Sequence, residues 1–261
     1  MMTVAVITFS AEGAILAAKL VNKLPDSRMF LHETAAGVWN AERFSRVFDL
    51  IAAIFCEYSG LVFIGPCGVA VRSVAPHLRR KTKDPAVVVV DVMARWAVSL
   101  VSGHEGGAND LAVTVGNILS AEPVISTTTE ALKNLIVGIG CRRGTPSTNI
   151  VKAIQETLID ADLELNQVRL LSSADIKSDE DGLLNAAKQL GIPLRFISSE
   201  EIRNCAFEFQ HSDFIENKVS LPAVAEPCAL LAGRRTRLII NKRICDGVTI
   251  AVAKESCLSL E

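Results

Sequence analysis

The densest grouping of chemistry-bearing residues is Val101-Ser-Gly-His-Glu-Gly-Gly-Ala-Asn-Asp110, where a histidine, two carboxylates and an amide stand among three glycines. Gly103, Gly106 and Gly107 have no Cβ, so the backbone can turn with positive φ and come close to a ligand. An unperturbed imidazole titrates near neutrality, so a histidine at 104 is a candidate for proton exchange under mild conditions, while Glu105 or Asp110 could orient it or serve as the base instead. Gly106 and Gly107 could aim backbone N–H groups at an oxyanion, because a helix N-terminus is expected at Asn109. In the competing structural reading, His104 hydrogen-bonds across a tight turn and Asn109 caps the helix. No Gly-Lys-Ser or Gly-Lys-Thr closes the stretch, and GxSxG spacing is absent around Ser102, so neither a phosphate loop nor a serine-hydrolase elbow is present.

Two further groupings could hold an anion. Arg72, His77, Arg79, Arg80, Lys81 and Lys83 follow Gly65-Pro-Cys-Gly68. Guanidinium groups there could grip carboxylates through paired hydrogen bonds, or the run could be a solvated helix end. Gly138-Ile-Gly-Cys-Arg-Arg-Gly-Thr145 departs from GxGxxG and fills its turn with Arg142 and Arg143, which favours an anionic ligand over a dinucleotide. Cys141 is either a nucleophile whose thiolate those arginines favour or an inert thiol. Lys177 could contact an anion, and Glu180 could cap or orient. Glu226, before Pro227 at a helix start, could contact a ligand or cap that helix.

The elements that must position these groups read as α/β. The chain has 261 residues, 49% hydrophobic and 21% charged, enough for one large core or two smaller ones. Val4 to Thr8, Gly60 to Gly65, Pro85 to Asp91, Ala97 to Val101 and Pro123 to Thr127 read as strands. Glu12 to Asn22, Phe44 to Tyr58, Val69 to Leu78 and Asn109 to Leu119 read as helical. The pattern restarts at Asn134 to Cys141 and alternates again, with Pro146 in the first turn of a helix reaching Ile159. Cys245-Asp-Gly247 is the expected turn of a closing β-hairpin. Two layered α/β domains with largely parallel sheets are therefore expected, at residues 1–131 and 132–261, with a ligand cleft between them.

Composition narrows the function classes. A net charge of −2 gives no reason to expect general nucleic-acid binding. No apolar run reaches membrane-spanning length, and Thr3 to Phe9 reads as a first strand rather than a signal peptide, so a cytoplasmic protein is expected. Seven cysteines without CxxC, and histidines at 32, 77, 104 and 211, give neither a disulfide framework nor a metal motif.

Gly65-Pro-Cys-Gly-Val-Ala-Val-Arg-Ser-Val-Ala-Pro76, Lys83-Asp-Pro-Ala-Val-Val-Val-Val-Asp91, Ser102-Gly-His-Glu-Gly-Gly-Ala-Asn109 and Pro123-Val-Ile-Ser-Thr-Thr128 together resemble the N-terminal domain of the cobalt-precorrin-5A hydrolases of anaerobic cobalamin biosynthesis. Gly138 to Thr145, Lys177-Ser-Asp-Glu180 and Val224-Ala-Glu-Pro227 resemble their C-terminal domain. The resemblance implies a tetrapyrrole substrate already carrying cobalt, opening of its ring-A δ-lactone by water, and release of acetaldehyde to leave cobalt-precorrin-5B. The cobalt belongs to the substrate, so no cofactor or protein metal site is implied. The candidate catalytic residues are His104 and Glu105. The candidate substrate-binding residues are Arg72, Ser102, Gly103, Gly106, Gly107, Asn109, Gly140, Cys141, Arg142, Arg143, Thr145, Lys177, Glu180 and Glu226. The expected partner is the cobalt-containing intermediate, with no nucleic acid and no membrane. Homo-oligomer formation and transient contact with neighbouring pathway enzymes both stay open. Many chains of this kind carry a middle domain, whereas here Glu130 to Asn134 spans the junction directly. A non-catalytic corrinoid-binding or handover protein is the alternative function.

Overall fold

Uninterrupted runs of Val, Ile, Leu and Ala become strands buried from both sides, and this sets the architecture. The computed structural model describes residues 2–205 and 223–257. His211, named above, lies outside them. Two compact units result, Met1–Thr127 and Thr128–Glu261.

The first unit runs β1 (Val4–Thr8), α1 (Ala11–Val21), β2 (Ser27–His32), β3 (Glu42–Phe44), α2 (Val47–Ile54), β4 (Gly60–Ile64), α3 (Cys67–Val74), β5 (Ala86–Val90), β6 (Trp96–Val101), α4 (Ala108–Leu119) and β7 (Glu122–Val124). Its seven-stranded sheet has the order β3-β2-β1-β4-β5-β6-β7. Every residue of β1, β4 and β5 is buried, so helices must cover both faces. Alternate strand residues serve the two sides. Val4, Val6, Val62 and Val88 meet α1 and α4 through Ala14, Leu20, Leu111 and Val115. Ala5, Ile7, Leu61, Phe63 and Val87 meet α2 and α3 through Ile51, Ile54, Ala70 and Val74.

Strands β1 to β5 are parallel, but β6 is antiparallel to β5. Asp91 to Arg95 is too short a link for a parallel crossover, which needs a dozen or more residues. The Asp91 carboxylate closes the turn by accepting the N–H groups of Arg95 at 2.7 Å and Trp96 at 3.0 Å. Ala97 therefore stands opposite Val90 and Val101 opposite Val87. The chain leaving β6 emerges at the amino-terminal ends of β4 and β5.

The expected helix over Phe44 to Tyr58 is shorter than read: Phe44 closes β3, and only Val47–Ile54 is α-helical. Strands β2 and β3 were not anticipated. Met29-Phe-Leu31 is a brief apolar run, and Glu42-Arg-Phe44 becomes a strand only by pairing with β2.

The second unit runs α5 (Thr128–Ala131), β8 (Leu135–Cys141), α6 (Ser147–Ile159), β9 (Val168–Ala174), α7 (Asp181–Leu190), β10 (Leu194–Ile197), α8 (Ser199–Asn204), α9 (Ala225–Leu231), β11 (Thr236–Cys245) and β12 (Val248–Glu255). Its five-stranded sheet has the order β10-β9-β8-β12-β11, with β8 to β10 parallel. Asp246 and Gly247 turn β11 into β12 with φ of 48° and 81°, the positive pair that a two-residue hairpin demands. Pro146 stands at the N-cap of α6 rather than inside its first turn. Ser198 caps α8 in a reciprocal box with Glu201.

Helix α9 crosses β8 at Gly138, where an added Cβ would overlap the Ala225 carbonyl and crowd the Ala229 nitrogen. Backbone on both sides leaves little room to yield. Gly138→Ala is expected to lower unfolding stability by about 3 kcal/mol or more, read from urea denaturation. A loss below about 0.5 kcal/mol would show that α9 can withdraw freely.

Candidate functional site

The carboxyl ends of the parallel strands in the first unit form one candidate site. Phe9 follows β1, His32 ends β2, and Ser45 follows β3. With Val47 and Phe48 of α2 and Val69 and Arg72 of α3, they line a pocket of about 390 Å³. The chain passes from β3 at one sheet edge to β4 beside β1, and at such a switch point the loops diverge to leave a crevice. Phe44 stands edge-on to both Phe9 and His32, at ring separations of 5.8 and 5.3 Å. His32 Nε2 is 2.9 Å from the Ser45 carbonyl, which can only accept, so Nε2–H donates. Nδ1 then accepts from the Thr34 hydroxyl at 2.8 Å. Arg72 is exposed, its side chain lying back over Gly68. Among the described residues it makes no ion pair or hydrogen bond.

The glycine-rich turn sits elsewhere. Because β6 runs backward, Ser102 to Gly107 lies at the amino-terminal ends of the strands, with Gly107 near Met2. His104 and Arg72 therefore occupy opposite ends of this sheet. Three N–H groups of the turn are already engaged: Gly106 and Ala108 both donate to the Ser102 carbonyl at 3.1 Å, and Asn109 donates to Gly103 at 3.0 Å, whereas no such bond is made by the Gly107 N–H among the described residues. The expected oxyanion donor at Gly106 is thus taken up in forming the turn itself. Gly107, in the left-handed region at φ 83°, is the N-cap of α4. Asn109 is not the cap. Its buried Oδ1 accepts from Ser99 at 2.8 Å, and its Nδ2 donates to Thr127 Oγ1 at 3.0 Å. Ser102 is buried with φ 60°, and its Oγ has no partner among the described residues.

Glu105 is tied to Lys81, and that hydrogen bond is the main cause holding its carboxyl below the usual glutamate range. A carboxylate so held is a weaker proton acceptor. His104 stands exposed beside it.

The second unit gathers its candidates at the carboxyl ends of β8 and β9. Gly140 and Cys141 close β8, and the next turn, carrying Arg142, Arg143 and Thr145, is bound to the 175–180 loop. Arg143 donates to Asp179 at 3.0 Å and to the Ile176 carbonyl at 3.1 Å. Buried Glu180 accepts the Gly144 N–H at 2.7 Å, and Thr145 Oγ1 donates to the Arg142 carbonyl at 2.7 Å. The Arg143–Asp179 contact raises the arginine's pKa and lowers the aspartate's. Both side chains are largely exposed, and such pairs contribute little net stability, so a ligand carboxylate could replace Asp179. Burial pushes the Cys141 thiol up, against an opposing pull from Lys177. The nucleophilic reading of Cys141 loses its basis, because desolvation outweighs the nearby positive charge.

Of the two readings of Glu226, the helix cap is not what the structure shows. Glu226 is buried, and its Oε1 accepts the Lys242 N–H at 3.0 Å, where the β11–β12 register shifts between Ile240 and Arg243. It satisfies a backbone donor at this irregularity in the β11–β12 ladder and shows no cap hydrogen bond at its own helix. Among the described residues, no three His, Cys, Asp or Glu side chains come together to hold a metal. No described helix is long and apolar enough to cross a membrane.

The pocket residues beyond Arg72 escaped sequence reading, because they come from four separate segments. The signal available was the apolar run before His32 followed by Phe44-Ser45, which marks two strand ends.

Two family models match end to end: the cobalamin synthesis G N-terminal model over residues 49–130 and the cobalamin synthesis G C-terminus model over residues 135–253. The chain belongs to the cobalamin synthesis G family. Its relatives include a cobalt-precorrin-5A hydrolase of Priestia megaterium, 25% identical, with 82% of this chain and 83% of the relative covered. Another, from Salmonella typhimurium, is 25% identical over 76% of this chain and 82% of its own length. Protein CobE of a Sinorhizobium species is 30% identical, covering 51% of this chain and 88% of itself. The two hydrolase alignments, at 313 and 290 positions, are longer than this 261-residue chain, so those relatives carry inserted residues. In this family member only residues 131–134 separate the two matched spans. All the motifs that carried the resemblance fall inside those spans.

Two measurements test the geometry of the glycine-rich turn. A depressed folded-state pKa stabilises the fold above the ordinary glutamate value, and that contribution is lost as pH falls through the lowered pKa. Carbon-detected NMR titration should therefore place the Glu105 midpoint below the usual range, and Lys81→Gln should move it upward. An unmoved midpoint would remove the pairing. Asn109→Ala should cost about 1–3 kcal/mol, since it strands Ser99 in the interior; a neutral change on chemical denaturation would contradict the network.

Proposed function

We propose that this chain is a cobalt-precorrin-5A hydrolase, opening the ring-A δ-lactone of its cobalt-bearing tetrapyrrole with water and releasing acetaldehyde. The alignment with relatives of that name, spanning 82% of the chain in the first case, carries the reading. Lactone hydrolysis needs a base for water and positive charge or donors for the tetrahedral oxyanion. Of the two candidate bases His104 is preferred, because Lys81 keeps Glu105 ionised and weakly basic. The N–H groups of Gly106, Ala108 and Asn109 are engaged, which leaves the Gly107 N–H and nearby side chains to meet the oxyanion. Lys81, held beside Glu105, is a cation at that turn. In the second unit, Arg142, Arg143 and Lys177 would hold carboxylates of a tetrapyrrole, with Asp179 giving way at Arg143. The cobalt enters and leaves with the substrate.

The engagement of the Gly106 N–H in the turn itself favours a second reading, in which the chain binds and hands over the intermediate without cleaving it. One assay separates the two: cobalt-precorrin-5A is incubated with the protein, and acetaldehyde is measured with an NADH-linked dehydrogenase. Catalytic release is expected from the native chain, falling by about 10²-fold or more in His104→Ala and only a few-fold in Glu105→Gln. Binding without acetaldehyde would establish handover. Full turnover by His104→Ala would remove that residue as base.

A further inference from the structure

The pocket at the carboxyl ends of β1 to β3 has a lining that restricts what can occupy it. Phe9, Val47, Phe48 and Val69 make its walls apolar, and Phe48 stays 48% exposed at the edge. Both ring nitrogens of His32 are engaged, Nε2–H with the Ser45 carbonyl and Nδ1 with the Thr34 hydroxyl. The neighbouring cations are occupied: Arg43 donates to the carbonyls of His32, Ala35 and Gly37, and Arg46 faces Asp49. Arg72 is the lining cation without a partner among the described residues.

An apolar slot with one open guanidinium suits a ligand of two parts, a flat apolar body and a carboxylate. At about 390 Å³ the space is near the low end for small-molecule sites, which suits one ring with its arm rather than a whole four-ring macrocycle. The geometry points to a subsite for a single carboxylate-bearing pyrrole-type ring, its arm on Arg72 and its face against Phe48 and Val69. The kind of ring rests on the tetrapyrrole reading above; no catalytic step is involved. The rest of a larger ligand would remain outside, over the strand ends.

Porphobilinogen, one pyrrole ring with an acetate and a propionate arm, is a direct probe. Titrated into the full chain carrying ¹³C-methyl valine, it should shift the Val47 and Val69 methyls, with a dissociation constant on the order of 0.1–1 mM for a ligand of this size. Arg72→Gln, its ligand-free spectrum otherwise unchanged, should weaken binding by about tenfold or more. Phe48→Ala should weaken it as well. Dimethylpyrrole, which lacks the acids, and glutarate, which lacks the ring, should each bind far more weakly than the probe. Absence of shifts, shifts confined to valines of the second unit, or Val47 and Val69 shifts that survive Arg72→Gln unchanged would overturn the assignment. The acetaldehyde assay reports separately. A chain that makes none but shows these shifts keeps the subsite and loses the hydrolase reading, and turnover without the shifts does the reverse.

Discussion

Burial of apolar strands from both faces is the constraint from which the other features follow. With β1, β4 and β5 buried throughout, polar chemistry cannot be placed on the sheet without leaving charged or hydrogen-bonding groups in an apolar layer. It is pushed to the strand ends, where loops meet water. The functional question for each unit becomes which end a given residue reaches, and that depends on strand direction.

In the first unit the answer rests on a short turn. Five residues and one carboxylate, Asp91, reverse the chain after β5. The turn that follows β6, with His104, emerges at the amino-terminal ends. Arg72 follows a parallel strand and stays at the carboxyl ends. The second unit has no such reversal among β8, β9 and β10, so the turns after β8 and β9 meet, and Arg143, Asp179, Glu180 and Gly144 bind them together.

Burial also sorts the charged groups by what they do. Glu180 and Glu226 are enclosed and accept backbone N–H groups, which fixes loop and strand geometry. The Lys81–Glu105 and Arg143–Asp179 pairs are more open to water and exchange more readily. A site for a polyanionic ligand needs cations of the second kind, with Arg72, unpaired among the described residues, as the extreme.

Local pattern in the sequence determined much of this protein. Unbroken apolar runs marked most strands, and Asp246-Gly247 marked the hairpin. The spacing of several motifs marked the family. Those features are legible because their causes lie within a few residues. The polar grouping at 102–109 was legible too, but its internal hydrogen bonds were not, since Asn109 bonds to Ser99 and Thr127, ten and eighteen residues away. The five-residue link after β5 did carry a signal for reversal, through its length alone. Only the tertiary structure decided which end of the sheet each group reaches, that Cys141 is desolvated, and that Phe9, His32, Ser45 and Arg72 share one pocket. Such proximity arises from packing between distant segments, and no local periodicity encodes it.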